Sequence, residues 1–177
     1  MSLGYSISAA TGRVAAGEMD WIWTPRTARR GTCGVVLLHM SGVADEYDDT
    51  AFTPNSTVLA AALATAGIPC ISGEFGGQTF ANDTVMSRID SARTVLAAQF
   101  PAMRTDKVAL VGASMGGAAA ARYSQLHPAQ VAAVVGLIPL LDLVGFYSTT
   151  QDQGYQSQIA SAWGVTYPAP LPDRKST

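Results

Sequence analysis

Charged side chains are scarce in this sequence, at 14% of 177 residues, and neither sign dominates: 11 Lys and Arg stand against 13 Asp and Glu, for a net charge of −2. The nearest approach to a basic run, Arg26 to Arg30, is short and interrupted. A nucleic-acid footprint needs clustered cations, so that class of partner is excluded. Long apolar runs are missing too. No segment reaches the ~18 consecutive apolar residues of a membrane helix, and "MSLGYSISAATGR" has no basic leader followed by an apolar stretch. The expectation is a soluble chain without a signal peptide, cytoplasmic or virion-associated, with no membrane partner.

Cysteine and histidine are equally sparse, two of each. Cys33 and Cys70 form no CxxC or Cys/His spacing. They read as buried free thiols, with a disulfide or metal site as the alternative. No metal site and no cofactor is expected.

What the sequence does hold is apolar residues, 48% of the total, with 17 glycines at punctuating positions. Its length suits one core. "EMDWIWTP" (18–25) alternates as a half-buried strand, and "GVVLLH" (34–39) is a continuous β-branched run, as a strand covered on both faces should be. After Pro54, "NSTVLAAALATAG" (55–67) carries helix signals at both ends, and "IPCIS" (68–72) is a short strand. The glycine-rich loop "GEFGGQTF" (73–80) leads to Val85, Ile89, Ala92 and Leu96, spaced as one helical face up to Pro101. "DKVALVG" reads as a strand, "MGGAAAARYSQLHP" as a helix and "VAAVVGLIPL" (131–140) as another buried strand. Alternating strands and helices over 34–138 imply right-handed βαβ crossovers, hence an α/β fold: a doubly wound, mainly parallel sheet with helices on both faces. There is no internal repeat.

Past Pro139 the pattern breaks. Phe146, Tyr147, Tyr155, Trp163 and Tyr167 are scattered through polar sequence, with one helix near "GYQSQIASAWG". The organisation is therefore a core over 1–140, a cap-like loop and helix excursion over 141–167, and a proline-rich linker or frayed end over 168–177. The aromatic excursion points to a partly apolar pocket.

The chemistry-bearing motif is Gly112-Ala113-Ser114-Met115-Gly116, placed after the strand Val108–Val111 and opening a helix near Met115. Strand, sharp turn and helix make a nucleophile elbow, with Ser114 at its tip and the Met115 N–H as an oxyanion donor. The competing phosphate-cradling loop lacks the lysine of a P-loop and the third glycine of a dinucleotide fingerprint.

"DKVALVGASMGGAAAARY" together with "GVVLLHMSG" resembles the α/β-hydrolase superfamily over residues ~18 to 140, by motif order and spacing. The resemblance implies a serine esterase or lipase-like acyl hydrolase. It maps the second oxyanion donor onto the Ser41 N–H within His39-Met40-Ser41-Gly42, where Met40 replaces the usual glycine; an ordinary loop is the alternative. Met40, Gly42 and Tyr147 are the candidate substrate-side residues. The family order is serine, acid, histidine. Asp142 is the candidate acid, with a surface turn as the alternative, and no histidine follows it. His127 lies thirteen residues beyond Ser114 on one helix, ~20 Å away at 1.5 Å per residue. His39 belongs to the oxyanion strand and would orient its loop.

The general base is thus expected to lie outside this chain. Either the chain is the N-terminal part of a longer hydrolase lacking its C-terminal strands, or it is a non-catalytic scaffold of the same fold. In both cases a partner, a further segment or a homo-oligomer is needed to cover an open sheet edge. A weaker resemblance links "MSLGYSISAATGRVAAGEMDWIWTP" and "GFYSTTQDQGYQSQIASAWG" to hydrolase-like tail proteins of actinobacterial phages, which implies a virion component.

Overall fold

The computed structural model describes residues 4–41 and 53–166. Six strands, β1 (Tyr5–Thr11), β2 (Met19–Pro25), β3 (Cys33–Leu38), β4 (Cys70–Gly73), β5 (Arg104–Ala113) and β6 (Val131–Leu137), form one sheet in the order β1-β2-β4-β3-β5-β6. The block β4-β3-β5-β6 is parallel, and β2 joins β4 and β1 antiparallel. Among the described residues five α-helices accompany it, α1 (Thr53–Thr65), α2 (Asp83–Gln99), α3 (Met115–Leu126), α4 (Leu143–Thr149) and α5 (Gln153–Ala162), with a 3₁₀ turn at Pro128–Gln130.

The two-residue period of β3 builds both halves of the core. Val35 and Leu37 face Ala60 and Ala64 of α1, while Val36 and Leu38 face the cluster that holds Ile89, Ala92 and Leu96 of α2 and Ala119 and Ala120 of α3. All four β3 side chains are buried, which explains why the strand is an unbroken apolar run. The expected α/β architecture is the observed one. Among the described residues no helix is long and apolar enough to cross a membrane.

One strand departs from expectation. The segment 131–140 reads as buried, yet β6 is the sheet's last strand and every residue from Ala132 to Leu137 is exposed. Its apolar run matches β3 in kind, but among the described residues no element lies beyond it. Val134, Val135, Leu137, Ile138 and Leu141 face outward, Ile138 at 93% exposure. Two elements carry weak sequence signals. Strand β1 is a serine-interrupted segment that exists by pairing with β2 from Tyr5↔Pro25 to Thr11↔Met19, and α4 spans only seven residues. Gly42, Tyr167 and the end 168–177 lie outside the described residues.

The β1–β2 turn is closed by a buried carboxylate. Asp20 is fully inaccessible, and its Oδ2 accepts the Val14 N–H at 2.8 Å. Gly73 sits opposite it, and a Cβ there would lie 2.5 Å from Oδ1. Burial pushes the Asp20 carboxyl above its ordinary value, more than the Val14 hydrogen bond lowers it. With a folded value raised above the unfolded one, the stabilising contribution is complete at low pH and is lost as pH climbs through the folded value. In urea unfolding at pH 4 and pH 7, the isosteric, uncharged Asp20→Asn is expected to gain on wild type between the two pH values. An unchanged difference would mean that Asp20 does not titrate with folding.

Candidate active site

Strand β5 ends at Ala113 and α3 begins at Met115, so the chain turns from strand to helix across Ser114 alone. Ser114 takes φ 48°, ψ −111°, a conformation that L residues rarely adopt. Three backbone hydrogen bonds hold it there. Its N–H donates to Leu137 O at 3.0 Å, and its carbonyl accepts the N–H groups of Leu140 at 3.0 Å and Ala118 at 3.2 Å. The exit of β6 therefore braces the elbow from one side.

Glycines clear the other sides. A Cβ on Gly112 would lie 2.2 Å from Gly116 O, one on Gly116 2.4 Å from Leu38 O and 2.6 Å from His39 O, and one on Gly117 2.5 Å from Pro139 Cβ. Each obstacle is backbone or a rigid ring, so none can swing away. The spacing of "GASMGG" is thus a steric record of backbone packed on backbone. It also brings the end of β3 against the first turn of α3, whose leading N–H groups have no partner inside the helix and carry the positive end of its dipole.

The loop expected to supply the second oxyanion donor starts at this contact. His39 is 8% exposed, with Nδ1 2.8 Å from Met40 O and Nε2 2.8 Å from Glu74 O. Each ring nitrogen thus faces a backbone carbonyl, one in its own loop and one at the start of the glycine-rich loop, and the neutral imidazole donates to one of the two. Met40 and Ser41 are half-buried beside it. His127 caps the far end of the 12-residue α3, roughly 20 Å along the axis from Ser114. There its ring lies 4.5 Å from that of Tyr123.

Asp142 is the N-cap of α4, and its Oδ1 accepts the Gly145 N–H at 2.8 Å. Tyr147 is buried in a cluster with Met115, Phe80, Ile159 and Ala160, so the side chain next to Ser114 packs against the α4–α5 excursion. Cys70 is buried and Cys33 half-buried, both as free thiols. Desolvation pushes Cys70 up to about 12, which removes it as a nucleophile at neutral pH. Among the described residues no group of three His, Cys, Asp or Glu could hold a metal ion.

Sequence reasoning missed the brace from Leu137, Pro139 and Leu140 and the Glu74 carbonyl under His39. The "GLIP" stretch carried a trace of the first: Gly136 also abuts Pro139, with a virtual Cβ 2.9 Å from its Cγ. The second is a carbonyl, which no side-chain pattern announces.

Solved structures similar to this chain include hydrolases. Candida antarctica lipase A superposes with a TM-score of 0.71 at 12% identity, over 95% of this chain and 50% of the lipase. Brefeldin A esterase, a bacterial homologue of human hormone-sensitive lipase, gives 0.57 at 16% identity, over 89% of this chain and 45% of the esterase. A dienelactone hydrolase-like promiscuous phosphotriesterase from metagenomic libraries gives 0.56 at 18%, over 77% of this chain and 60% of its own. The chain has the α/β-hydrolase fold. It spans about half the length of the lipase and of the esterase. No family model and no curated protein matches it.

The steric account of the elbow predicts that Gly116→Ala, which drives a Cβ into Leu38 O, costs about 1–3 kcal/mol, the usual scale of overpacking. Gly4→Ala, whose Cβ would meet Thr65 Cγ2 at an ordinary 3.8 Å, should be near neutral. Equal denaturant midpoints for the two variants would remove the close approach from the account.

Proposed function

We propose that this fold carries a serine-dependent hydrolysis of a carboxylic ester or related acyl substrate, with Ser114 as the nucleophile. The observation that carries the proposal is the positive φ of Ser114, a strained serine held between strand and helix by backbone bonds on both sides. In the acylation step a base takes the hydroxyl proton, Ser114 Oγ bonds to the substrate carbonyl carbon, and the carbonyl oxygen becomes an oxyanion. The Met115 and Ser41 N–H groups are assigned to that oxyanion. Its collapse expels the alcohol, which leaves with the proton, and water then releases the acid from the acyl-serine.

The base is assigned to a group outside this chain. The sequence holds two histidines; His39 lies between two backbone carbonyls, Met40 O and Glu74 O, and His127 sits at the wrong end of α3. Asp142 remains the candidate acid, a role in which it would share its carboxylate with the α4 N-terminus. Met40, Gly42 and Tyr147 are assigned to the substrate side. The exposed apolar strand β6 supports a covering element there, whether a partner, a further segment or a second copy. The names of the esterase and lipase neighbours favour an ester among acyl substrates. The absence of any histidine after Asp142 in this sequence favours one alternative, a non-catalytic module of the same fold, including a virion role.

Two measurements separate these readings. A fluorophosphonate probe should label the protein in its native setting at Ser114 and spare Ser114→Ala; no labelling leaves the scaffold reading. The 177-residue chain alone, lacking general-base assistance worth ~10² to 10⁴ in rate, should turn over p-nitrophenyl acetate at close to background. It should also self-associate in light scattering. A monomer with robust turnover that Ser114→Ala abolishes would place the base inside the chain.

A further inference from the structure

Charge is unevenly placed along the sheet. At the edge where β2 ends and β4, β3 and β5 begin, cations follow one another in strand order. Arg26 leaves β2 with its N–H on Gly4 O at 2.9 Å, Arg29 donates its N–H to Gly67 O at 2.8 Å ahead of β4, and Arg104 opens β5 with its N–H on Thr32 O at 2.8 Å. With Arg30, Arg93 and Lys107, six of the 11 Lys and Arg side chains lie at this end. Glu18, Asp20 and Glu74 lie at the other, where β2 begins and β4 ends. Helix α2 also finishes at the basic edge, but its C-terminal carbonyls amount to only about half a negative charge.

A break in register opens a cleft at this edge. Cys33 pairs with Arg104 but Gly34 pairs with Val108, so Thr105, Asp106 and Lys107 bulge from β5 without counterparts on β3. The cleft beside the bulge measures about 190 Å³, open mouth included. Buried Gly34, Leu96, Met103 and Val108 give it an apolar floor, and Arg93, Arg104, Thr105 and Lys107 complete its lining, with no carboxylate among the lining residues. The neighbouring acids are occupied. Asp106 holds the Arg104 guanidinium at 2.8 and 3.2 Å, and Asp90 accepts the Tyr123 hydroxyl at 2.6 Å while standing 3.7 Å from Arg93 Nη2. Arg93 Nε is buried without a hydrogen-bond partner, and among the described residues the half-buried Lys107 makes no ion pair. A cleft of one sign over a low-dielectric floor concentrates counter-ions.

We propose that this cleft binds a phosphate group, with Arg93 from α2 and Lys107 from the β5 bulge as its direct contacts and Arg104 and the Thr105 hydroxyl at its margin. Cations reaching in from a helix and a strand suit a tetrahedral dianion, which offers oxygens to both, better than a planar carboxylate. The cleft is smaller than the ~300 Å³ at which drug-sized ligands begin to fit, so anything attached to the phosphate lies outside it. Val108 is six residues from Ser114, about 20 Å along β5 at ~3.3 Å per residue. The site therefore does not rest on the Ser114 reading.

Equilibrium dialysis of the intact chain against radiolabelled orthophosphate at fixed ionic strength tests it. One saturable site per chain is expected. Arg93→Gln and Lys107→Gln should each weaken binding about 10-fold or more, the scale of one hydrogen bond to a charged group. Lys107→Gln breaks no ion pair, so it keeps the test decisive if Arg93→Gln disturbs the fold. Arg13→Gln removes the same charge from the β1–β2 turn at the opposite end of the sheet, and screening should hold its effect below about 2-fold. Non-saturable uptake, or equal weakening by Arg13→Gln, would overturn the site. Sodium acetate at matched concentration should not compete, and equal displacement by acetate would overturn the assignment to phosphate. Vesicles of phosphatidic acid, compared with phosphatidylcholine, identify the source: co-sedimentation that Lys107→Gln abolishes assigns a lipid headgroup, and orthophosphate binding without co-sedimentation assigns a free phosphate or phosphomonoester.

Discussion

Helix α3 begins against backbone instead of against side chains, and the arrangement of the molecule around Ser114 follows from that contact. With Gly116 within a Cβ's reach of Leu38 O and His39 O, the end of β3 touches the first turn of α3. That fixes where the helix axis leaves the sheet, which side of β5 it covers and which carbonyls of β6 can reach the turn. A methyl group at Gly112, Gly116 or Gly117 would push the helix outward and separate the serine from both its brace and the His39 loop. The strain at Ser114 is tolerable because Leu137, Leu140 and Ala118 over-determine it from three directions.

The same contact links three loops that are distant in sequence. His39 joins the end of β3 to the glycine-rich segment through Glu74 O, and that segment runs on to Phe80, whose ring meets Met115 and the α4–α5 pair. The turn at Ser114, the His39 loop and the α4–α5 pair thus share one continuous set of backbone carbonyls and apolar side chains. Coupling among them needs no long path.

Most of the parallel sheet was legible because its residues answer to period. The run at 34–38 and the i, i+3, i+4 spacing through Val85, Ile89, Ala92 and Leu96 each have a single physical solution. What escaped had no period to show. Strand β1 is made by its partner, α4 by a cap at Asp142, and the bonds of Arg122, Asn82 and Trp163 around residues 80–82 join elements far apart in sequence. The burial of β6 was misjudged for a different reason: composition reports what a strand is suited to lie between, while exposure depends on what is actually there. At the site, Ser114 was readable from its flanks. The two carbonyls that face the His39 ring were not, since carbonyls leave no mark in a residue pattern.

The glycine packing also bears on how such a sequence should be read by descent. Gly112, Gly116 and Gly117 are each excluded from change by neighbours that belong to the scaffold, so a lineage that abandoned catalysis would keep all three for as long as it kept the fold. Their retention carries no information about chemistry. Residue 114 carries no such steric exclusion, and related chains with intact glycines but alanine or glycine at that position would mark a branch without the proposed hydrolysis.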